Sequence, residues 1–121
     1  MAKIAFSTSG ENQDALLDTR FGRCKNFIIY DVEQNQLSVV ENTQNMEAAQ
    51  GAGIQSAQNV IEHGADVLIS GHCGPKAFRV LSAAGITIYL GDSKPIHELI
   101  EDYKQGRLKK ADSADVEGHW L

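Results

Sequence analysis

A chain of 121 residues, 42% of them hydrophobic and 22% charged, has enough apolar material for one core and too much for a disordered segment. Its net charge of -5 argues against a nucleic-acid partner, whose binding rests on neutralising phosphates. No apolar run approaches the roughly 20 residues that span a bilayer.

Residues 3–9 carry Ile4, Ala5 and Phe6 and read as a buried first strand. The polar stretch from 10 to 23 is long for a connection inside a compact domain, the kind of loop that is either functional or mobile. Residues 26–32, rich in aromatic and β-branched side chains, form the second strand. Glu33-Gln34-Asn35 is a turn in which Asn35 suits a left-handed backbone, and residues 36–41 complete a hairpin as the third strand.

The period then changes. Ile54, Ala57, Val60 and Ile61 are spaced for a helix over residues 53–63, stopped by Gly64. Residues 67–70 (VLIS) are a short strand covered on both faces. A second helix over 75–84 opens with Pro75 and closes at Gly85. Residues 87–90 are the fifth strand, and Ser93 can cap a last helix over 94–105. Residues 107–121 are polar until Trp120 and read as a tail.

The order βββαβαβα gives an α/β fold: a three-layer sandwich around a five-stranded mixed sheet of order 3-2-1-4-5, with only strand 2 antiparallel. Residues 1–106 are expected to form a single domain, with 107–121 a polar C-terminal tail. The opening Met1-Ala2-Lys3-Ile4 is strand-like rather than a signal peptide, and two cysteines allow at most one disulfide, so the expected location is cytoplasmic.

This topology brings the loops after the first, third, fourth and fifth strands to one sheet edge, where open α/β sheets bind ligands. Two clusters fall there. Asp18-Thr19-Arg20-Phe21-Gly22-Arg23-Cys24 offers two guanidinium groups to an anion; it also fits a solvated loop with Phe21 tucked onto the core. Ser70-Gly71-His72-Cys73-Gly74-Pro75-Lys76 leaves a buried strand and enters a helix. There, backbone N–H groups attract anions and lower thiol pKa values. His72 and Cys73 are soft-metal ligand types, but there is no CxxC pair, and an ordinary buried cysteine beside a surface histidine fits equally. His63 and His97 fit structural or surface positions, and His119 with Trp120 falls in the tail, where disorder is expected rather than function.

Arg20-Phe21-Gly22-Arg23-Cys24, followed by Phe27, resembles the signature of the dinitrogenase iron–molybdenum cofactor biosynthesis family, in which FGR precedes a small residue and then Phe. Gly51-Ala52-Gly53, the Gly64–Ile69 run, Gly74-Pro75 with Ala77 and Leu81, and Gly85-Ile86 match as well, so that the resemblance spans about residues 3–105. It includes NifX-type carriers and small stand-alone proteins, and implies a ribonuclease H-like fold and a non-catalytic role in binding metal–sulfur clusters. A related small protein type holds a molybdenum–copper sulfide cluster without cysteine ligation. The signature requires neither Cys24 nor Cys73.

The expected function is a binding or carrier protein for an anionic metal–sulfur cluster or cofactor precursor, iron–sulfur or molybdenum-containing. Arg20, Phe21, Gly22, Arg23, Gly71, Gly74 and Pro75 would hold the anion; Cys73, His72 and Cys24 would meet the metal. The alternative is a protein-interaction scaffold with no bound cluster, working with a cluster-delivering or ATPase partner. A ribonuclease H-like nuclease is disfavoured because the first strand lacks the carboxylates that hold two metal ions. No membrane and no nucleic-acid partner is expected.

Overall fold

The computed structural model describes residues 2–44 and 51–111. Three strands come first: β1 (Lys3–Thr8), β2 (Asn26–Asp31) and β3 (Gln36–Glu41). Helix α1 (Ala52–Glu62), strand β4 (Val67–Ser70), helix α2 (Gly74–Ala83), strand β5 (Thr87–Leu90), helix α3 (Ile96–Lys104) and strand β6 (Lys109–Lys110) follow. The β2–β3 hairpin turns through Asn35, whose φ of +53° is the left-handed backbone that asparagine tolerates. Its side chain accepts a hydrogen bond from the Tyr30 hydroxyl at 2.7 Å.

Among the described residues the sheet has six strands, in the order β3-β2-β1-β4-β5-β6. This corrects the expected five-stranded, ribonuclease H-like sandwich. The sixth strand arises within the segment read as a polar tail: Lys109 and Lys110 pair antiparallel with Leu90 and Tyr89. A strand of two lysines carries no apolar alternation, and charged, very short edge strands are a common way of blunting a sheet edge. Hence hydrophobic patterning could not reveal it. The backbone ladder continues to Ala111, which is buried and donates its N–H to Ile88 O at 2.8 Å. His119 and Trp120 lie outside the described residues.

Alternation along the strands divides the core between the two faces of the sheet. Ala5, Phe27, Ile29, Leu68 and Ile88 pack with Ala57 and Val60 of α1 and Ala77 and Leu81 of α2. Ile4, Phe6, Ile28, Val67 and Ile69 pack with Ile96 and Leu99 of α3.

The long connection between β1 and β2 is tied down by backbone bonds. Leu17 donates to Lys94 O, Asp18 to Ser7 O, and Ala15 O accepts from Ile96. Leu17 is buried, which gives the loop an apolar anchor. Ser93, expected to cap α3, instead donates its hydroxyl to Leu17 O at 3.2 Å, and Pro95 occupies the cap position.

Candidate functional site

Parallel β1 and β4 are neighbours, and their connections leave the same edge in different directions, which opens a crevice. Both sequence clusters lie there and are bonded to each other. His72 N–H donates to Thr19 O at 2.8 Å, and Phe21 N–H donates to His72 O at 3.1 Å. The loop after β1 and the loop after β4 therefore run as a short parallel pair, with Arg20 beside His72.

Phe21–Arg23 form a single 3-10 turn whose buried residue is Phe21. The Phe21 ring packs against Phe27 with centroids 5.5 Å apart, which keeps the turn on the core while its arginines stay at the rim. Gly22 lets that turn approach the start of α1: a Cβ there would lie 3.1 Å from Gly53 N and 3.2 Å from Gly53 Cα. Gly53 in turn lies close to α2, since a Cβ on it would meet Ala77 Cβ at 3.5 Å and Cys73 O at 3.7 Å. Three small residues thus draw the turn and two helix starts together.

An open groove of about 480 Å³ lies at this convergence, lined by Arg20, Phe21, Gly22, Arg23, His72, Cys73 and Gly74, with Ala52 and Gly53 closing it from α1. A second groove of about 500 Å³ shares Gly53, Cys73 and Gly74 with it and continues past Pro75 and Lys76. Sequence reasoning placed Ala52 and Gly53 only as a motif ahead of a helix. Their smallness was the available signal, because residues that let backbones meet are seldom read as site residues. Gly71 lines neither groove; it is where Thr19 crosses β4's exit.

The electrostatics favour an anion. Neither α1 nor α2 has a side-chain N-cap bond among the described residues, so N–H groups of their first turns remain for water or a ligand. Arg20 is fixed by Asp18: its Nε and Nη2 donate to the two carboxylate oxygens, each at 3.1 Å. Burial would raise the Asp18 carboxyl, but hydrogen bonds from the Arg20 side chain and backbone, with its charge, outweigh that and hold it below the ordinary carboxylate value. No ion pair engages Arg23 among the described residues.

The two cysteines share one core cluster but differ in access. Both are reduced and buried. The Cys24 thiol donates to Phe21 O at 3.3 Å and lies 3.6 Å from Asn42 Nδ2; it lines neither groove. Burial pushes it up to about 12. Cys73 lines both grooves, and burial pushes its thiol up to about 11. A helix start was expected to lower that value; loss of water around the sulfur prevails. Among the described residues no three His, Cys, Asp or Glu side chains gather to hold a metal ion, so the grooves offer cations and N–H donors rather than a set of ligands.

The solved structures similar to this chain include the apo form of the orange protein from Desulfovibrio gigas. It is 34% identical with a TM-score of 0.85, over 92% of this chain and 93% of that one. A Thermotoga protein solved by NMR is 33% identical with a TM-score of 0.77, over 91% and 93%. An uncharacterized protein of Methanocaldococcus jannaschii is 32% identical over 97 residues, 78% of this chain and 81% of the relative. No helix among the described residues is long and apolar enough to cross a membrane. The family model described as dinitrogenase iron-molybdenum cofactor matches residues 1–106, and the chain belongs to that family, whose members are typically non-catalytic carrier proteins.

Proposed function

We propose that this protein binds and carries an anionic metal–sulfur cluster or cofactor precursor, iron–sulfur or molybdenum-containing, in the groove between the Phe21–Arg23 turn and the starts of α1 and α2. The observation that carries this reading is the convergence on one open groove of Arg20, Arg23 and two helix starts that no side chain caps among the described residues. Family membership supports a cluster-related role in general. The orange protein, solved in its apo form, shares this fold at 34% identity, so the same groove can be compared between the two chains.

In this reading the cluster is cargo. Arg20 and Arg23 meet its charge, and the N–H groups of the first turns hold its sulfides as they would any anion. Phe21, Gly22, Gly74 and Pro75 line the two grooves, and Gly71 acts at one remove by letting Thr19 cross close to the exit of β4. Cys73 and His72 supply the soft contacts, and a bound metal would have to displace the Cys73 proton. Cys24 serves the core, its sulfur engaged with Phe21 O and the Asn42 amide. A cluster-delivering partner would reach the cargo from the open side of the groove.

The test is anaerobic incubation with molybdenum or iron and sulfide, then gel filtration, metal-to-protein ratio and visible absorption. The wild-type chain should retain a coloured metal sulfide, and the Arg20→Ala/Arg23→Ala double variant should lose it. Excess inorganic phosphate should compete poorly, because it matches the charge but not the softness. A wild-type chain that emerges colourless and metal-free would leave an interaction scaffold as the better reading.

A further inference from the structure

We infer that Asp18 is a positioning residue: it holds the Arg20 guanidinium in one orientation, from a carboxylate that is itself anchored to the two central strands. The inference rests on the cluster-binding reading above and concerns how the cargo's charge is met.

The anchor begins in the core. Ser7 at the end of β1 and Ser70 at the end of β4 are buried, and their hydroxyl oxygens lie 2.7 Å apart. The Ser7 hydroxyl donates its one proton to Asp18 O at 2.6 Å, so Ser70 must be the donor between the two serines. Asp18 N–H returns a bond to Ser7 O at 2.8 Å. Both backbone polar groups of Asp18 are therefore held by one residue of β1. Its carboxylate, 8% exposed, accepts the Arg20 backbone N–H at 2.9 Å as well as the guanidinium fork.

A salt bridge between exposed side chains is worth little, because two long side chains must be ordered to make it. Here only one partner is loose. Arg20 is 70% exposed, while Asp18 belongs to the strand framework. Two N–H groups of the fork face Asp18, and the rest of the guanidinium stays available beside the groove. Asp18 also places a negative charge next to an anion site, which would oppose binding if charge were all that mattered. What this carboxylate contributes is the ordering of Arg20 before the ligand arrives, which lowers the entropy lost on binding.

The experiment separates charge from geometry. Asp18→Glu keeps the charge but moves the carboxylate by a methylene, and Arg20→Lys keeps the cation but removes the fork. The probe is tetrathiomolybdate, a soluble, coloured metal-sulfide dianion, titrated anaerobically at low and at physiological salt. In parallel, the Arg20 Nε–H resonance is followed by NMR in the ligand-free chain. In the wild type that proton should be protected and shifted by its carboxylate partner. In Asp18→Glu it should become exchangeable, and probe affinity should fall about tenfold at both salt concentrations, the scale of ordering one long side chain. Arg20→Lys should fall by a similar factor although its charge is unchanged. If Arg20→Ala abolishes binding while Asp18→Glu binds like the wild type, positioning is wrong and the cluster-binding reading stands. If the wild-type chain does not bind the probe at all, the reading itself falls and this inference with it.

Discussion

Thr19 lies across Gly71 so closely that a Cβ built on the glycine would stand 2.3 Å from Thr19 Cβ and 2.6 Å from Thr19 O. The obstacle is partly backbone, so it cannot swing aside as a side-chain end could. The same Thr19 carbonyl accepts the His72 N–H at 2.8 Å, and this bond joins the two site loops. Gly71→Ala should therefore separate them. We expect a loss of about 1–3 kcal/mol in stability, the usual cost of overpacking, with weaker retention of a metal–sulfide probe. Chemical denaturation and the probe titration check both; an alanine variant with unchanged stability would mean the loops have room to slide.

The order of elements up to β5 could be read from Ile4, Phe6, Ile28, Val67 and Ile69, because buried strands and amphipathic helices repeat with different periods. Crossover rules then gathered Arg20, Arg23, His72 and Cys73 at one edge. What escaped the sequence is held by backbone or by uninformative side chains. Lys109-Lys110 is a strand only because β5 has an open edge to pair with. The loop from 10 to 23 looked loose because its ties, such as Leu17 N–H to Lys94 O, are bonds that any residue can make. The clamp on Arg20 depends on Asp18, which in sequence is one polar residue in a polar loop.

The buried thiols set a pH dependence on the alkaline side. Burial raises Cys24 to about 12 and Cys73 to about 11 from an ordinary value of 9.0. The unfolded chain therefore loses these protons first as pH rises. Stability from keeping the thiols neutral is complete below the unfolded value and falls as pH climbs through 9.0 towards the folded values of about 11 and 12. Denaturation at stepped alkaline pH should show this decline, and a Cys24→Ala/Cys73→Ala variant should show a shallower one. Equal slopes for the two proteins would assign the decline to other groups.

Cys73 and Cys24 should separate in a binding assay. Cys73 lines both grooves, whereas Cys24 lines neither and bonds to Phe21 O. Cys73→Ser should reduce the metal-to-protein ratio after anaerobic reconstitution while leaving the fold intact. Cys24→Ser should leave the ratio near wild type and cost about 1–2 kcal/mol in stability, the scale for a more polar group in an apolar setting. A Cys73→Ser protein with the wild-type ratio and absorption spectrum would show that the groove holds its cargo by charge and N–H groups alone.

Strand β6 should matter beyond its two residues. It covers the edge of β5, and Ala111 beside it is buried against the core. Ending the chain after Gly106 would uncover the β5 backbone and remove Ala111's contacts and its bond to Ile88 O. The expected loss is about 1–3 kcal/mol from burial and ladder bonds together, with self-association through the bared edge. Denaturation midpoint and light scattering of the truncated chain test this. A truncated chain as stable and as monodisperse as the full one would reduce β6 to a decorative pairing.

Asn42 is the polar hub behind the site. It is 7% exposed. Its Nδ2 donates to Cys24 O and to Ser56 Oγ, each at 2.9 Å, and its Oδ1 accepts from Asn59 Nδ2 at 2.8 Å. One amide thereby joins the end of the Phe21–Arg23 turn to two residues of α1, whose start closes the groove. Asn42→Ala would take this donor from the buried Cys24 O, at a cost of about 1–3 kcal/mol, while Ser56 Oγ keeps its bond from Gln44 and Asn59 its bond to Thr43 O. Asn42→Asp preserves the shape but turns a donor into an acceptor that faces Cys24 O and Ser56 Oγ. It also buries a charge, which is costlier still near neutral pH. Because burial raises the pKa of such a carboxyl, its neutral form is favoured on folding. The Asp variant should therefore recover part of its stability as pH falls into the carboxylate range. Denaturation of both variants across acidic and neutral pH tests the ordering. An Asn42→Asp protein at least as stable as Asn42→Ala near neutral pH would show that water reaches this network and that the link between the turn and α1 is looser than the geometry implies.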